Sequence, residues 1–290
     1  MLETNARFDS LIPPEMAARA EEVGVRKAQM DAVRMFALAV LAGAFIALGA
    51  VFATTVSAGG GAAPFGLVRL AAGIAFSLGL ILVIVGGAEL FTGNNLIVMA
   101  WASGKVSTRL VLRNWAIVYA GNLVGAVGTA VVTFVGGQYA FGAGSVGLTA
   151  LAIGQAKTTL EFVPAVALAM LCNALVCLAV WLTFSARTTT DRILAIVPPI
   201  AAFVAAGFEH SVANMYFIPQ ALLIRAFAPA SFWASTGASP DGYTDLTLGG
   251  LLGNLLPVTI GNVIGGAVLV GIVYWFVYLR SSPRSTPSAG

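Results

Sequence analysis

The sequence is short of charge. Only 9% of its 290 residues are Asp, Glu, Lys or Arg, against 59% hydrophobic, where a soluble domain carries about 25% charged residues. So little polar surface excludes a water-soluble globular domain, and with a mean hydropathy of +0.92 lipid is the expected solvent over much of the chain. Histidine occurs once, at His210, and cysteine twice, at Cys172 and Cys177. Cysteines at that spacing point in different directions on a helix and read as small buried hydrophobes. With one imidazole beside them, no metal site and no cofactor are expected. No basic cluster interleaved with aromatics exists, so nucleic acid is excluded as a partner. No Walker or dinucleotide loop is present. Gly144-Ser145-Val146-Gly147 fails the G-x-S-x-G pattern because position 143 is Ala. No enzyme activity and no catalytic residue are expected.

The charge that is present is unevenly placed. Eleven charged residues lie between Met1 and Arg34, and two, Arg280 and Arg284, lie in the tail. Between them six apolar spans can be counted, each with the roughly 20 residues a bilayer needs: Met35–Val56, Leu67–Trp101, Trp115–Gly136, Glu161–Ser185, Ile193–Phe227 and Leu248–Leu279. The second and fifth are too long for one crossing and are interrupted by polar residues. Basic residues collect in the second-to-third loop (Lys105, Arg109, Arg113), the fourth-to-fifth loop (Arg187, Arg192) and the tail, while the other loops are poor in them. Positive-inside reasoning predicts a cytoplasmic location for both termini. Residues 1–34 are expected to form a cytoplasmic amphipathic segment, with Met16, Ala20, Val23 and Met30 on one face of a helix lying along the membrane or the protein. No signal peptide is expected in this long segment of mixed charge. Residues 35–279 form the membrane domain, and residues 280–290, rich in Ser and Pro, a disordered cytoplasmic tail.

The chain also repeats itself. Gly87-Ala88-Glu89-Leu90-Phe91-Thr92-Gly93-Asn94 in the second span is matched by Gly207-Phe208-Glu209-His210-Ser211-Val212-Ala213-Asn214 in the fifth, with Gly, Glu and Asn at the same offsets. Asn114, Gly121-Asn122 and Gly125 in the third span are matched by Asn254, Gly261-Asn262 and Gly265 in the sixth. The fold predicted is an all-α polytopic membrane protein of six transmembrane helices, built as two three-helix repeats with helices 2 and 5 broken. An odd number of spans per unit makes the repeats inverted, a transport architecture. A Glu and an Asn at mid-membrane depth are tolerated where the backbone is buried or lines a cavity. Half-helix termini facing a common centre offer N–H groups and partial positive charge to an anion.

His210 sits in the fifth-span break, opposite Leu90 of the other copy. Its charge changes near neutral pH, which suits proton exchange with a weak acid; the alternative is a neutral core histidine. Glu89 and Glu209, with Asn94 and Asn214, are expected to anchor the breaks, since a carboxylate facing an anion pathway would repel the substrate. Asn122 and Asn262 either bond helix to helix or line the pathway. Lys157, the lone cation of its loop, is a solvated surface lysine or a charge that draws anions into a vestibule.

At these residues the sequence resembles the formate/nitrite transporter family. The stretches GAELFTGNNLIVMAWASGK (87–105) and GFEHSVANMYFIP (207–219) carry the resemblance, supported by VTIGNVIGG (258–266). LIPPEMAARAEEVGVRKA and IRAFAPASFW are similar to its formate channel branch. The resemblance implies an aquaporin-like protomer in a homopentamer of the bacterial inner membrane, with one pore per protomer passing formate and protons. Nitrite or hydrosulfide is the alternative substrate. The Asn-Pro-Ala pair of water channels is absent. Carried over residue by residue, the resemblance makes Leu90, Phe91 and Thr92 the loop of the second helix, His210 the central histidine and Asn262 its pore-facing neighbour. Phe76, with Val176, falls at an outer constriction, Leu80 and Phe203 at an inner one, and Lys157 in the vestibule. A cytoplasmic formate-producing enzyme is a further expected partner, recruited by the N-terminal helix.

Overall fold

The computed structural model describes residues 9–280, so the expectation of a disordered tail falls almost wholly outside the described residues. Helix α1, Pro13–Gln29, begins on Pro13-Pro14, with Glu15 in its first turn and Arg26 and Lys27 in its last, an arrangement that suits the preset φ of proline and the helix dipole. Two residues later Asp31 caps α2, Ala32–Ser57, by accepting from the Arg34 N–H at 3.0 Å. Then come α3 (Phe65–Gly86), a 3-10 segment (Gly93–Ile97), α4 (Val98–Ala102) and α5 (Thr108–Val135). The second half runs α6 (Ser145–Thr158), α7 (Phe162–Ser185), α8 (Thr189–Ala206), α9 (Ser211–Phe227), α10 (Ala230–Thr236), α11 (Leu248–Val263), a π-helical stretch (Ile264–Ile272) and α12 (Val273–Tyr278).

Six of these stretches are long and apolar enough to cross a membrane. Their outward faces carry large apolar residues such as Phe65, Val135, Leu252 and Phe276, all exposed, as helices facing lipid or a partner subunit require. The two halves pack alike: α2 lies on α3 and α5, α7 lies on α8 and α11, and α3 crosses to α8. The close approaches depend on absent side chains. A Cβ at Gly125 would overlap the Val40 carbonyl, and one at Gly265 the Met170 carbonyl, consistent with small-residue seams between membrane helices.

Helix α1 takes one of its two expected placements, and two further features depart from the sequence reading. Helix α1 lies on the protein, burying Met16, Ala17, Ala20 and Ala28 against the 3-10 segment, α4, α5 and α7. Helix α6, read as loop, packs on α9 and places Lys157 in its last turn. Trp181, whose place near the end of the fourth apolar span predicts a membrane interface, is instead buried and stacked 4.1 Å from Tyr274.

Candidate functional site

The site is built from two chain breaks. Helix α3 stops at Gly86 and α8 at Ala206, and the next residue, Gly87 (φ 81°) or Gly207 (φ 78°), takes the left-handed conformation that ends a helix at little cost only in glycine. Past the turn the chain is not helical, so its N–H and C=O groups need other partners at a depth where water is scarce. One asparagine per break supplies them. Asn122 Oδ1 accepts from the Phe91 N–H at 2.9 Å, and its Nδ2 donates to Ala39 O (2.8 Å) and Glu89 O (2.9 Å). Asn262 Oδ1 accepts from the Ser211 N–H at 2.9 Å, and its Nδ2 donates to Ala169 O and Glu209 O, both at 2.9 Å. Both side chains are fully buried with donors and acceptor occupied. Of the two readings of Asn122 and Asn262, bonding or lining the pathway, the geometry favours bonding: their polar atoms are spent on the backbone of the breaks.

A second clamp repeats beside the first. Glu89 accepts from Lys27 Nζ and Asn94 Nδ2, both at 2.7 Å, and Asn94 Nδ2 also reaches Asn114 Oδ1 at 3.0 Å. Glu209 accepts from Lys157 Nζ at 2.5 Å and Asn214 Nδ2 at 2.7 Å, and Asn214 Nδ2 also reaches Asn254 Oδ1 at 2.8 Å. Asn114 and Asn254 in turn donate to the backbone oxygens of Lys27 and Lys157. Carboxylates this buried must be paired to remain charged. Lys157 is therefore the counter-ion of Glu209, and α1 supplies the equivalent cation, Lys27, which sequence reasoning did not assign to the site.

Between the clamps the two breaks touch. His210 caps α9: its Nδ1 accepts from the Ala213 N–H at 3.1 Å. An accepting Nδ1 carries no proton, so the neutral ring carries its proton on Nε2, which lies 3.1 Å from Thr92 Oγ1 and donates to it. Thr92 is held from behind by Asn173 Nδ2 and Cys177 Sγ, both 3.3 Å from its carbonyl oxygen. Phe203 stacks on the imidazole with ring centroids 5.9 Å apart.

Two cavities approach this contact from opposite sides. One, of about 80 Å³, is lined by Lys157, Arg69, Phe76, Phe203, His210 and Asn214 among others. The other, of about 650 Å³, lies under α1 and reaches Leu80, Leu90 and Glu89. Phe76 meets Phe203 edge to face at 5.7 Å. Phe203 therefore narrows the Lys157 side together with Phe76, and Leu80 narrows the α1 side with Leu90; the inner pairing of Leu80 with Phe203 is corrected. Phe91 packs on Tyr119 and Trp115, at 5.0 and 6.1 Å, and Val176 is buried in the core; neither lines either of these two cavities. Arg69, unremarked in the sequence, caps the end of α8 through bonds to the Val204 and Ala205 carbonyls. A charge near the start of an apolar span was the available signal.

Known proteins are similar to this chain over most of its length. The formate/nitrite transporter family profile matches residues 14–276. The chain is 46% identical over 276 residues to the formate channel FocA of Escherichia coli K12, covering 95% of this chain and 97% of that one. Its fold is similar to a pentameric formate channel solved with formate bound, at a TM-score of 0.82 and 48% identity over 86% of this chain and 98% of that one. A second solved structure, an FNT family ion channel, is 29% identical with a TM-score of 0.76 and covers 93% of this chain and 99% of that one. Carried over nearly the whole length, this agreement makes the chain an integral membrane protein of the formate/nitrite transporter family.

Proposed function

We propose that this protein conducts formate across a bacterial inner membrane, through one pore per protomer of a homopentamer, with both termini cytoplasmic and the two halves inverted. The large cavity then faces the cytoplasm and the small one the outside. The observation that carries the reading is the His210–Thr92 contact, where both breaks meet between two cavities of this otherwise apolar chain. The relatives named for formate support the substrate.

The chemistry follows from desolvation. An ionised carboxylate crossing rings of Leu80, Leu90, Phe76 and Phe203 loses its hydration at large cost, whereas formic acid crosses as a small neutral molecule. The α9 N-terminus favours negative charge near the centre. The Nε2–H of His210 takes up the Thr92 oxygen, leaving the Thr92 hydroxyl hydrogen free to donate to a substrate oxygen. His210 releases its Nε2 proton to formate only if Nδ1 gives up the Ala213 N–H and takes a proton in exchange, because imidazolate is too basic to form here. Proton delivery at the centre is thus coupled to uncapping α9.

The test is flux in proteoliposomes with internal pH recorded, comparing formate, nitrite, hydrosulfide, acetate and glycerol. Formate entry with acidification of the lumen, and no glycerol entry, is the expected result. Glycerol flux equal to formate flux overturns the assignment. A formate-to-proton ratio unchanged in folded His210→Asn protein removes His210 from the proton step.

A further inference from the structure

The cavity under α1 is larger than a formate pathway needs. At about 650 Å³ it falls within the range of pockets that enclose drug-sized ligands, about 300–1,000 Å³. Its lining includes five basic side chains: Arg19, Arg26 and Lys27 on α1, with Arg187 and Arg192 facing them from the α7–α8 turn and the start of α8. The acidic groups nearby are Glu89, Glu22, Asp191 and Asp9. Glu89 is committed to Lys27. Glu22 lies between Arg19 and Arg26, 2.6 and 3.8 Å from their Nη1 atoms, with all three side chains exposed. Asp191 accepts from the N–H groups of Arg187 and Thr188 and is the N-terminal acid of α8. Arg187 donates through Nε to the Asp9 carbonyl at 2.7 Å. The Arg192 guanidinium has no hydrogen-bond or ion-pair partner among the described residues, its backbone N–H alone bonding Thr188 O. The cations outnumber the acids, they stand on two separate elements, and the floor between them is apolar, with Leu80, Val83 and Phe184.

We propose that this cavity is a binding site for a multiply charged oxyanion of the phosphate class, which bridges Arg19 and Arg26 of α1 to Arg187 and Arg192 and holds α1 down over the pore. A single-charge anion can satisfy one of these arms at a time. A di- or triphosphate group, with several oxygens on one frame, can satisfy both through the paired geometry that guanidinium offers phosphate. The Glu22 contacts are no obstacle, since exposed ion pairs contribute little, and the Arg19 bond that holds Glu22 below the usual carboxylate range is exchanged for a phosphate contact. Such a ligand is too large to pass Leu80 and Leu90, so it acts as a stopper and not as cargo. The same chemistry is offered by a soluble phosphate ester and by an anionic lipid headgroup of the cytoplasmic leaflet.

The probe is inorganic pyrophosphate, titrated calorimetrically into full-length protein in phosphatidylcholine nanodiscs at fixed ionic strength, with chloride as control. Binding is measured without reference to transport, so it stands or falls apart from formate conduction. Expected are saturable binding, slower hydrogen exchange across α1, and affinity weakened about tenfold or more in Arg26→Gln/Arg192→Gln, the loss of one charge-assisted contact or more. Glu22→Gln, which frees two arginines without touching the cavity floor, tightens it. Nanodiscs containing phosphatidylglycerol distinguish the sources: α1 protected by the lipid alone, with pyrophosphate displaced, assigns the site to a headgroup, and unchanged pyrophosphate binding assigns it to a soluble ester. Absence of pyrophosphate binding in phosphatidylcholine together with unaltered α1 exchange in phosphatidylglycerol overturns the proposal. So does binding that is indifferent to both variants.

Discussion

The first and second breaks are held by the same scaffold and furnished differently. Each has a glycine turn, an asparagine on the following long helix that ties three backbone groups, and a Glu–Asn–Asn–Lys clamp. Yet the first break continues into a 3-10 segment while the second passes directly into α9. Leu90 stands where the second has His210. Lys27 bonds both Glu89 and Asn94 Oδ1, whereas Lys157 bonds only Glu209 and leaves Asn214 Oδ1 and Ser211 Oγ without partners among the described residues. What stabilises the breaks is thus shared, and what can exchange protons or meet a polar guest is confined to one of them.

The harshest way to break the comparison is to exchange the residues behind the breaks. Gly43 and Asn173 occupy equivalent places, four residues beyond the carbonyls of Ala39 and Ala169 that Asn122 and Asn262 bind. Gly43→Asn puts a Cβ into the Asn122 backbone and is expected to abolish folded protein, read as loss of a monodisperse peak in detergent. Asn173→Gly deletes donors to Thr92 O, Asn95 Oδ1 and Asn262 O and is expected to give folded but weakened protein. Next, Asn122→Leu and Asn262→Leu each strand buried backbone groups worth about 1–3 kcal/mol apiece, so each is expected to cost about 3 kcal/mol or more, by equal amounts. Thermal unfolding that separates the two clearly would show that the scaffold is not shared.

Glu209→Gln and Glu89→Gln sharpen the contrast. Removing the charge of one partner of a buried pair costs about 3–5 kcal/mol, but Lys27 retains Asn94 Oδ1 beside the new amide oxygen while Lys157 retains only the amide oxygen. The second-half variant is expected to be the less stable by about 1–2 kcal/mol, one charge-assisted bond, and an equal loss would mean that the Asn94 contact contributes nothing. Smallest in energy is His210→Leu, which gives the second break the residue of the first. The cap on α9 goes, worth about 1 kcal/mol, and formate flux is expected to fall about tenfold or more with Tm almost unchanged.

Hydropathy located the spans, and the GAE and GFE repeats located both breaks, because each signal is written in adjacent residues. The roles of Asn122 and Asn262 were not legible: a polar residue on an apolar helix looks alike whether it faces a pore or a broken backbone. Lys27 was hidden among the charges of the first 34 residues, where nothing local marks one lysine as a partner of Glu89 in a distant break. Helix α6, at 14 residues, is too short to read as a span. The π-helical stretch has no periodicity to announce it.

Lys27 has a consequence for how the N-terminal segment can be studied. A truncation at Arg34 would take with it the counter-ion of a carboxylate that is 4% exposed and the carbonyl that Asn114 holds. Such a protein would carry an orphaned charge inside its first break, and altered transport in it would report damage to the pore wall as readily as an opened mouth. A cut that ends before Lys27, or the full deletion made together with Glu89→Gln, separates the two.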